Sequence, residues 1–324
     1  MVADHDVLDE YDVLVVGGAG VDTIVRVDAL RVPEGDSVGV PPVHDYLGHT
    51  GSGVALSCHA LGLRVKFLDF LGDDAQGRLV LDEFARAGLD FSHLVSPAGT
   101  PRGVNLVDPQ GRRFSFYDGR HPAELRLPRS FYLPYLERAR HVHLSIVNHN
   151  RDLYPDIESL GRPSSTDLHD WDGHNPYHRF YALASDLVFL SDAAVRERRE
   201  EVMRGILSEG RAEVVVVMAG ADGCYLLTRD EHRAAGRGGG VRHFPAVRPP
   251  RPVVDSNGAG DAFVSGFLHA RLAGRRVEEC VRAGLAAGAH ACTGVGTHTA
   301  FITAGELAER CGWESRENGH FVGQ

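Results

Sequence analysis

Four short apolar runs in the second half of the chain constrain its fold more than any other feature: ARHVHLSIV (139–147), SSTDLHD (164–170), SDLVFLS (185–191) and AEVVVVMAG (212–220). Each is too short for a buried helix, and helical or irregular segments separate them. Strand and helix in that alternation imply a parallel sheet covered on both faces. The first half adds YDVLVVGGAG (11–20) and VKFLDFLG (65–72) as strands. SGVALSCHALG (52–62) reads as a helix with Val54, Ala55, Cys58 and Leu61 on one face, stopped by Gly62. DDAQGRLVLDEFARAG (73–88) reads as a second helix, with acids in its first turn and Gly88 after its end.

Two early pieces do not suit a parallel sheet. IVRVDAL (24–30) with the following RVPEGDSVGVPPVHDYLG, and TPRGVNLVDPQGRRFSFYDG (100–119), alternate around turns, the latter about DPQG. They predict a small β-sheet lid, over residues 23–46 and 100–119, above the carboxyl edge of the large sheet where open α/β folds bind ligands. GRGGG (236–240) and VRPPRP (247–252) read as loops, so a single domain over 1–324 is expected.

Composition excludes several classes. With 34 basic against 44 acidic side chains the formal charge is −10, which argues against a nucleic-acid partner. Any phosphate site must then be local, built from main-chain N–H groups and a few cations. Cys58, Cys224, Cys280, Cys292 and Cys311 are an odd set without C-x-x-C spacing, which suits a reducing cytoplasm. The acidic start MVADHDVLDEYD lacks the pattern of a signal peptide, and no apolar run reaches the roughly 18 residues of a membrane span.

The local anion site is legible in VVDSNGAGDAFVSGFLHARL (253–272). It reads as a strand ending at Val254, a glycine turn and a helix start, so the N–H groups of Gly258, Ala259 and Gly260 lie at the positive end of a helix dipole. Asp261 beside them would repel a phosphate, which makes sense if the acid takes a proton from an attacking hydroxyl. The plainer reading is an acid favouring a helix N-terminus.

DSNGAGDAFVSGFL resembles the second signature of the ribokinase-like, or PfkB, carbohydrate kinases. GVDTIVRV, FLGDDAQGRLVLDEFARAGLD and VVVVMAGADGCYLL resemble further stretches of that family in the same order. The resemblance implies a three-layer α/β/α sandwich with a mostly parallel central sheet and a small β lid, ATP with Mg²⁺, and a homodimer formed through the lid. It implies Asp261 as general base and Gly258, Ala259 and Gly260 as the hole for the transferred phosphoryl charge. Asp22, Gly48, His49, Gly51 and Gly53 fall in its sugar-binding positions, and Asn148, past a strand's end, is a further candidate. Ser191, Gly220, Gly223, Gly284, Ala287 and Gly296 fall on the nucleotide side. Asp255 and Asn257 match positions that in some relatives hold a monovalent cation such as K⁺.

The sequence also departs from the family. In LGHTGSG, His49 replaces the second of two glycines and Gly53 stands where a sugar-binding asparagine is expected, which argues against ribose held in the usual way. Ser191 and Ala194 replace the N-x-x-E pair that helps order Mg²⁺, leaving Asp192 or a loop acid as substitute. TDLHDWDGHNPYHRF (166–180) offers Asp167 and His169 to the cleft or merely caps the next helix, while His169, Asp172 and His174 lack helical metal-ligand spacing. His141 and His143 are expected to be hydrogen-bonded at the sheet edge. VVGGAGVDT fails as a dinucleotide fingerprint, and no G-x-x-x-x-G-K-[ST] loop is present. The expected function is therefore ATP-dependent phosphorylation of a sugar or sugar-like hydroxyl. The alternatives are a nucleoside or glycoside kinase, with Phe114, Phe116 and Tyr117 available to a base, and a binder that kept the fold without catalysis.

Overall fold

The structure, a computed structural model, describes residues 10–32, 34–234 and 240–313; the acidic start up to Asp9 and GRGGG up to Gly239 lie outside them. The described residues form β1 (Val13–Val16), β2 (Gly20–Arg26), β3 (His44–Gly48), β4 (Val65–Leu71), β5 (Asp90–Val95), β6 (Arg102–Val107) and β7 (Arg113–Asp118). In the second half follow β8 (Val142–Leu144), β9 (Ser164–Asp167), β10 (Leu187–Ser191), β11 (Val214–Met218), β12 (Cys224–Thr228) and β13 (Arg242–Phe244). The large sheet has the order β13-β12-β11-β10-β9-β8-β1-β4-β5, parallel from β11 to β5 and antiparallel only at the β12 and β13 edge.

The central strands are apolar on both sides because both faces are covered. Val13, Val15, Phe67, Phe189 and Val216 enter one core with Val54, Val80, Phe263 and Val281 of helices Thr50–Ala60, Ala75–Ala87, Ala259–Leu272 and Val277–Ala291. Their alternate neighbours Leu14, Val16, Leu68, Val188 and Val217 enter a second core with Tyr181 and Val202 of helices Pro176–Ala184 and Arg199–Glu209. Helix Ala75–Ala87 ends as expected on Gly88, whose φ is 70°. Asp74 is its N-cap, accepting from the N–H of Gly77 at 2.8 Å, rather than a first-turn acid. All five cysteines are free thiols, and among the described residues no helix is long and apolar enough to cross a membrane.

The second sheet has the order β3-β2-β6-β7 and is the expected lid, starting at Gly20 rather than Thr23 and reaching Gly48 rather than Tyr46. Cross-strand partners point to one face, so three rungs share a face: Asp22, Gly103 and Tyr117; Ile24, Asn105 and Ser115; Arg26, Val107 and Arg113. Phe114 and Phe116 alternate to the opposite face, where both are exposed.

Two expectations are corrected. No strand ends at Val254; Val253 and Val254 are exposed and irregular, and the segment is held by the Val254 N–H on the Cys292 carbonyl at 2.9 Å. Strand propensity there is not met by a ladder partner among the described residues. His141 and His143 are hydrogen-bonded, both to Ser165 Oγ at 2.7 and 2.9 Å, but inside the sheet, where β8 lies between β9 and β1. Burial pulls each imidazole down to about 3.

A histidine held neutral in the folded chain but protonated near its ordinary value when unfolded makes folding weaken as pH falls. The stabilisation is complete above about 6.5 and is lost toward 3, at up to about 1.4 kcal/mol per pH unit for each ring. The urea midpoint is therefore expected to fall steadily from pH 7 to pH 5, and to fall less in a His143→Asn chain. A midpoint equally steep in both proteins would remove His143 from that effect.

Candidate active site

β1, β8, β9, β10 and β11 all end on one edge of the large sheet, and the residues just past those ends form the floor of the site. Gly258 is the N-cap of helix Ala259–Leu272 with φ 77° and ψ 0°, a left-handed conformation that costs glycine little and turns the chain into the helix. The Ala259 N–H already donates to the Ser256 carbonyl, at a long 3.3 Å, so the expected cup rests on its glycines rather than on all three residues. A Cβ at Gly260 would find ordinary space beside Met218 and Asp167 Oδ2, at 3.5 and 3.8 Å.

Asp261 sits in the first helical turn, 6% exposed. Its Oδ2 is 2.8 Å from Nε2 of His298, so a ring protonated there donates to the carboxylate. Gly53 explains how the pair fits: a Cβ there would lie 2.2 Å from His298 Nε2 and 2.6 Å from Asp261 Oδ2. Gly53, standing where an asparagine was expected, thus leaves the space that His298 and Asp261 fill. Asp167, at the end of β9, is the second buried acid; burial raises its pKa, and the neighbouring Asp261 charge raises it further. Its Oδ1 accepts the N–H of His169 at 2.9 Å. Asp172 and His174 stay apart from this pair, with Asp172 capping the turn into helix Pro176–Ala184 and His174 meeting Arg198.

The residues expected at the acceptor lie on and beside the lid sheet. Asp22 projects from β2 into space that Gly48 and Gly103 leave free, since a Cβ on either would come within 2.5 Å of its carboxylate. His49 precedes helix Thr50–Ala60 with φ 68° and ψ 151°, a region nearly reserved for glycine and worth about 1–3 kcal/mol of strain. Its ring is buried, tilted against Tyr117 at 5.3 Å, and its Nε2 stands 3.8 Å from Asp22 Oδ1 without a hydrogen bond. Burial lowers its pKa, so it is neutral near pH 7. Gly51 presses helix Thr50–Ala60 onto the Gly17 carbonyl, 1.9 Å from where its Cβ would be.

Sequence reasoning did not single out the rest of this wall. Asp69 accepts the N–H groups of Ala19 and Phe70 at 2.6 and 2.7 Å, and His121 and His149 bring their ring nitrogens within 4.8 Å of it and of each other. Nε2 of both histidines is buried without a hydrogen bond. A carboxylate and two imidazoles of this kind can ligate a metal, but Asp69 already holds two main-chain donors. Asn148 is half-buried; its neighbours His149 and Asn150 are the buried ones, and Asn150 donates to the carbonyls of Val16 and Ser145. The one sequence signal for this wall was the repeated histidine of HVHLSIVNHN.

On the nucleotide side the expectations divide. Ser191 ends β10 and caps the next turn by accepting from Ala193 at 3.2 Å. Asp192 is not a spare carboxylate, because Arg199 grips both its oxygens at 2.9 and 2.8 Å. Gly220 and Gly223 form the turn between β11 and β12, Gly220 facing open space and Gly223 packed against the Phe244 carbonyl. Gly284 and Ala287 are tightly packed: Gly284 receives the Phe263 ring, and the Ala287 methyl abuts Gly266. Gly296 donates to Asp255 Oδ2 at 3.3 Å. That oxygen also takes Arg26 Nη2 at 3.1 Å, and Asn257 Oδ1 takes Arg113 Nη1 at 2.6 Å.

Comparison with known proteins agrees with this arrangement. The profile described as pfkB family carbohydrate kinase matches residues 11–154 and 184–304. An acarbose 7(IV)-phosphotransferase from Actinoplanes sp. is 46% identical over 286 residues, covering 88% of this chain and 93% of its own. The solved structure of a microbiome-derived acarbose kinase superposes with a TM-score of 0.85 at 44% identity, covering 94% of this chain and 99% of the other. Arabidopsis thaliana ribokinase, complexed with ribose and ATP, superposes at 0.77 with 20% identity over 94% and 99% of the two chains, a likeness of fold. The chain thus belongs to the pfkB family of carbohydrate kinases, as an ATP-dependent phosphotransferase acting on a hydroxyl of a sugar or sugar-like small molecule.

Proposed function

We propose that the acceptor is a glycoside natural product of the acarbose kind and that Asp261 is the general base for its phosphorylation. One observation carries the chemistry: a buried carboxylate stands in the first turn of a helix whose entry is a left-handed glycine, beside a second buried acid. Asp261 Oδ2 is held by His298, which leaves Oδ1 to receive the proton of an acceptor hydroxyl. Charge developing on the transferred phosphoryl oxygens falls at the positive end of helix Ala259–Leu272. The lid, carrying Asp22 over the site, would exclude water that could otherwise take the phosphate.

The acceptor class draws support from two relatives above 40% identity whose names specify acarbose. The Nε2 atoms of His49 and His121, buried without a hydrogen bond, offer donors and acceptors to a polyhydroxylated ligand. A nucleoside is disfavoured because Phe114 and Phe116 turn to the outer face of the lid, leaving Tyr117 as the aromatic of that strand on the cleft side. A coupled ADP-release screen over acarbose, monosaccharides and nucleosides tests the reading. Acarbose-type glycosides should stimulate release most. Stimulation by nucleosides alone would shift the acceptor class, and nucleotide binding with no stimulating acceptor would favour the inactive binder.

Mg²⁺ fits this site through Asp167 rather than through Asp192. The Asp167 carboxylate is buried against Asp261 with its pKa raised, a charge cluster that a divalent cation or its waters would offset, whereas Asp192 is clasped by Arg199. When bound, Mg²⁺ supplies neutralisation of the phosphate charge. Asp167→Asn should raise the Mg²⁺ concentration for half-maximal rate by about tenfold or more; an unchanged Mg²⁺ dependence would remove Asp167 from that role. We further propose a reducing cytoplasmic setting, in keeping with five free thiols, and a lid-to-lid homodimer across the unpaired edge of β7, which light scattering would distinguish from a monomer.

A further inference from the structure

We propose that Arg26 and Arg113 form a two-armed latch that joins the lid to the anion turn and takes the place of a monovalent cation, so that this kinase works without K⁺. The two arginines lie on one rung of the lid sheet, flanking Val107: Arg26 ends β2 and Arg113 begins β7. Cross-strand neighbours on a rung point the same way, so both guanidinium groups leave the same face, and both reach the loop that enters helix Ala259–Leu272.

Asp255 and Asn257 are where the family resemblance would put a cation, and their oxygens do not suit one. Asp255, 4% exposed, has Oδ1 on the N–H of Asn257 at 3.0 Å and Oδ2 on Arg26 Nη2 and the N–H of Gly296, at 3.1 and 3.3 Å. Asn257, also 4% exposed, has Oδ1 on Arg113 Nη1 at 2.6 Å. Each oxygen faces a donor, and a cation placed among them would stand against a guanidinium. The positive charge that holds this turn in shape is therefore covalently part of the lid.

That placement has a mechanical consequence. A diffusible ion stays with the turn whether the lid is open or closed, but Arg26 and Arg113 move with β2 and β7. Closure then delivers the acceptor-binding Asp22, on the same face of β2, and the charge that sets Gly258 and Asp261 in one motion. Phosphoryl transfer is thereby tied to a closed site, and an open site holds an unset anion turn.

The test compares the wild type with Arg26→Ala and Arg26→Lys in KCl and in choline chloride of equal ionic strength. Thermal unfolding is read first because it requires neither acceptor nor turnover, so this proposal and the acceptor assignment can fail separately. In the wild type both the unfolding temperature and the rate of ADP release should agree between the two salts, the rate within about twofold. Arg26→Ala in choline should lose about tenfold or more in rate and regain part of it, with a higher unfolding temperature, in KCl. Arg26→Lys, which keeps the charge, should remain insensitive to K⁺ and serves if the alanine variant does not fold. Strong activation of the wild type by K⁺ would overturn the proposal. So would an Arg26→Ala loss that appears only in the KM for ATP and that K⁺ does not restore, since that pattern means a phosphate-binding arginine.

Discussion

Asp261→Asn is expected to cut kcat by about 10²–10⁴-fold while nucleotide affinity changes little. The amide keeps the size and the hydrogen bond to His298 available to the carboxylate but cannot accept the proton of the acceptor hydroxyl. A helix-terminal acid with no catalytic part gives a different pattern. Its removal would lower stability by about 0.3–1 kcal/mol, the usual worth of a charge at a helix end, and leave turnover intact. Thermal unfolding and single-turnover phosphorylation, measured on the same preparation, separate the two. Turnover at the wild-type rate in the asparagine variant would take Asp261 out of the mechanism and leave the buried acid pair without a purpose.

That expectation was already available in the sequence because the helix entry is local. NGAGDAF writes a left-handed turn, a helix start and a first-turn acid within a few consecutive residues, and nothing distant is needed to read it. The parallel sheet was legible for a similar reason. Runs such as VLVV and VVVVM are apolar on both sides, a pattern that suits a strand buried between two helix layers. The lid followed from alternation around DPQG.

The failures have the opposite character. Val253 and Val254 carry strand propensity, but propensity does not supply a neighbouring edge, and the backbone there pairs with Cys292 instead. Asp192 looked unclaimed until Arg199, seven residues on, closed upon it. The Asp69 cluster was hidden because Asp69, His121 and His149 come from three separate segments, and only the fold gathers them.

The close approach of Gly53 to His298 is the most instructive of the hidden pairs, because it predicts a substitution whose effect runs against helix propensity. Gly53 lies inside helix Thr50–Ala60, where alanine is ordinarily better by about 1 kcal/mol. Here a methyl group would meet His298 Nε2 at 2.2 Å and Asp261 Oδ2 at 2.6 Å, and Asp261 is the proposed general base. Gly53→Ala should therefore displace the carboxylate and lower kcat by about 10²-fold, the scale of a misplacement near 1 Å. His298→Ala alone removes a positioning residue. It should cost less, because the carboxylate loses one donor without being pushed from its place. Combining the two removes the nearest of the clashes and gives the Asp261 side chain room to turn away from the methyl, so the double variant should recover part of the turnover lost in Gly53→Ala. Recovery on removing a second side chain is the signature of a steric conflict rather than of general damage to the helix. A Gly53→Ala enzyme with normal turnover, or a double variant slower than both single ones, would show that Gly53 does not make room for the histidine that holds the proposed base.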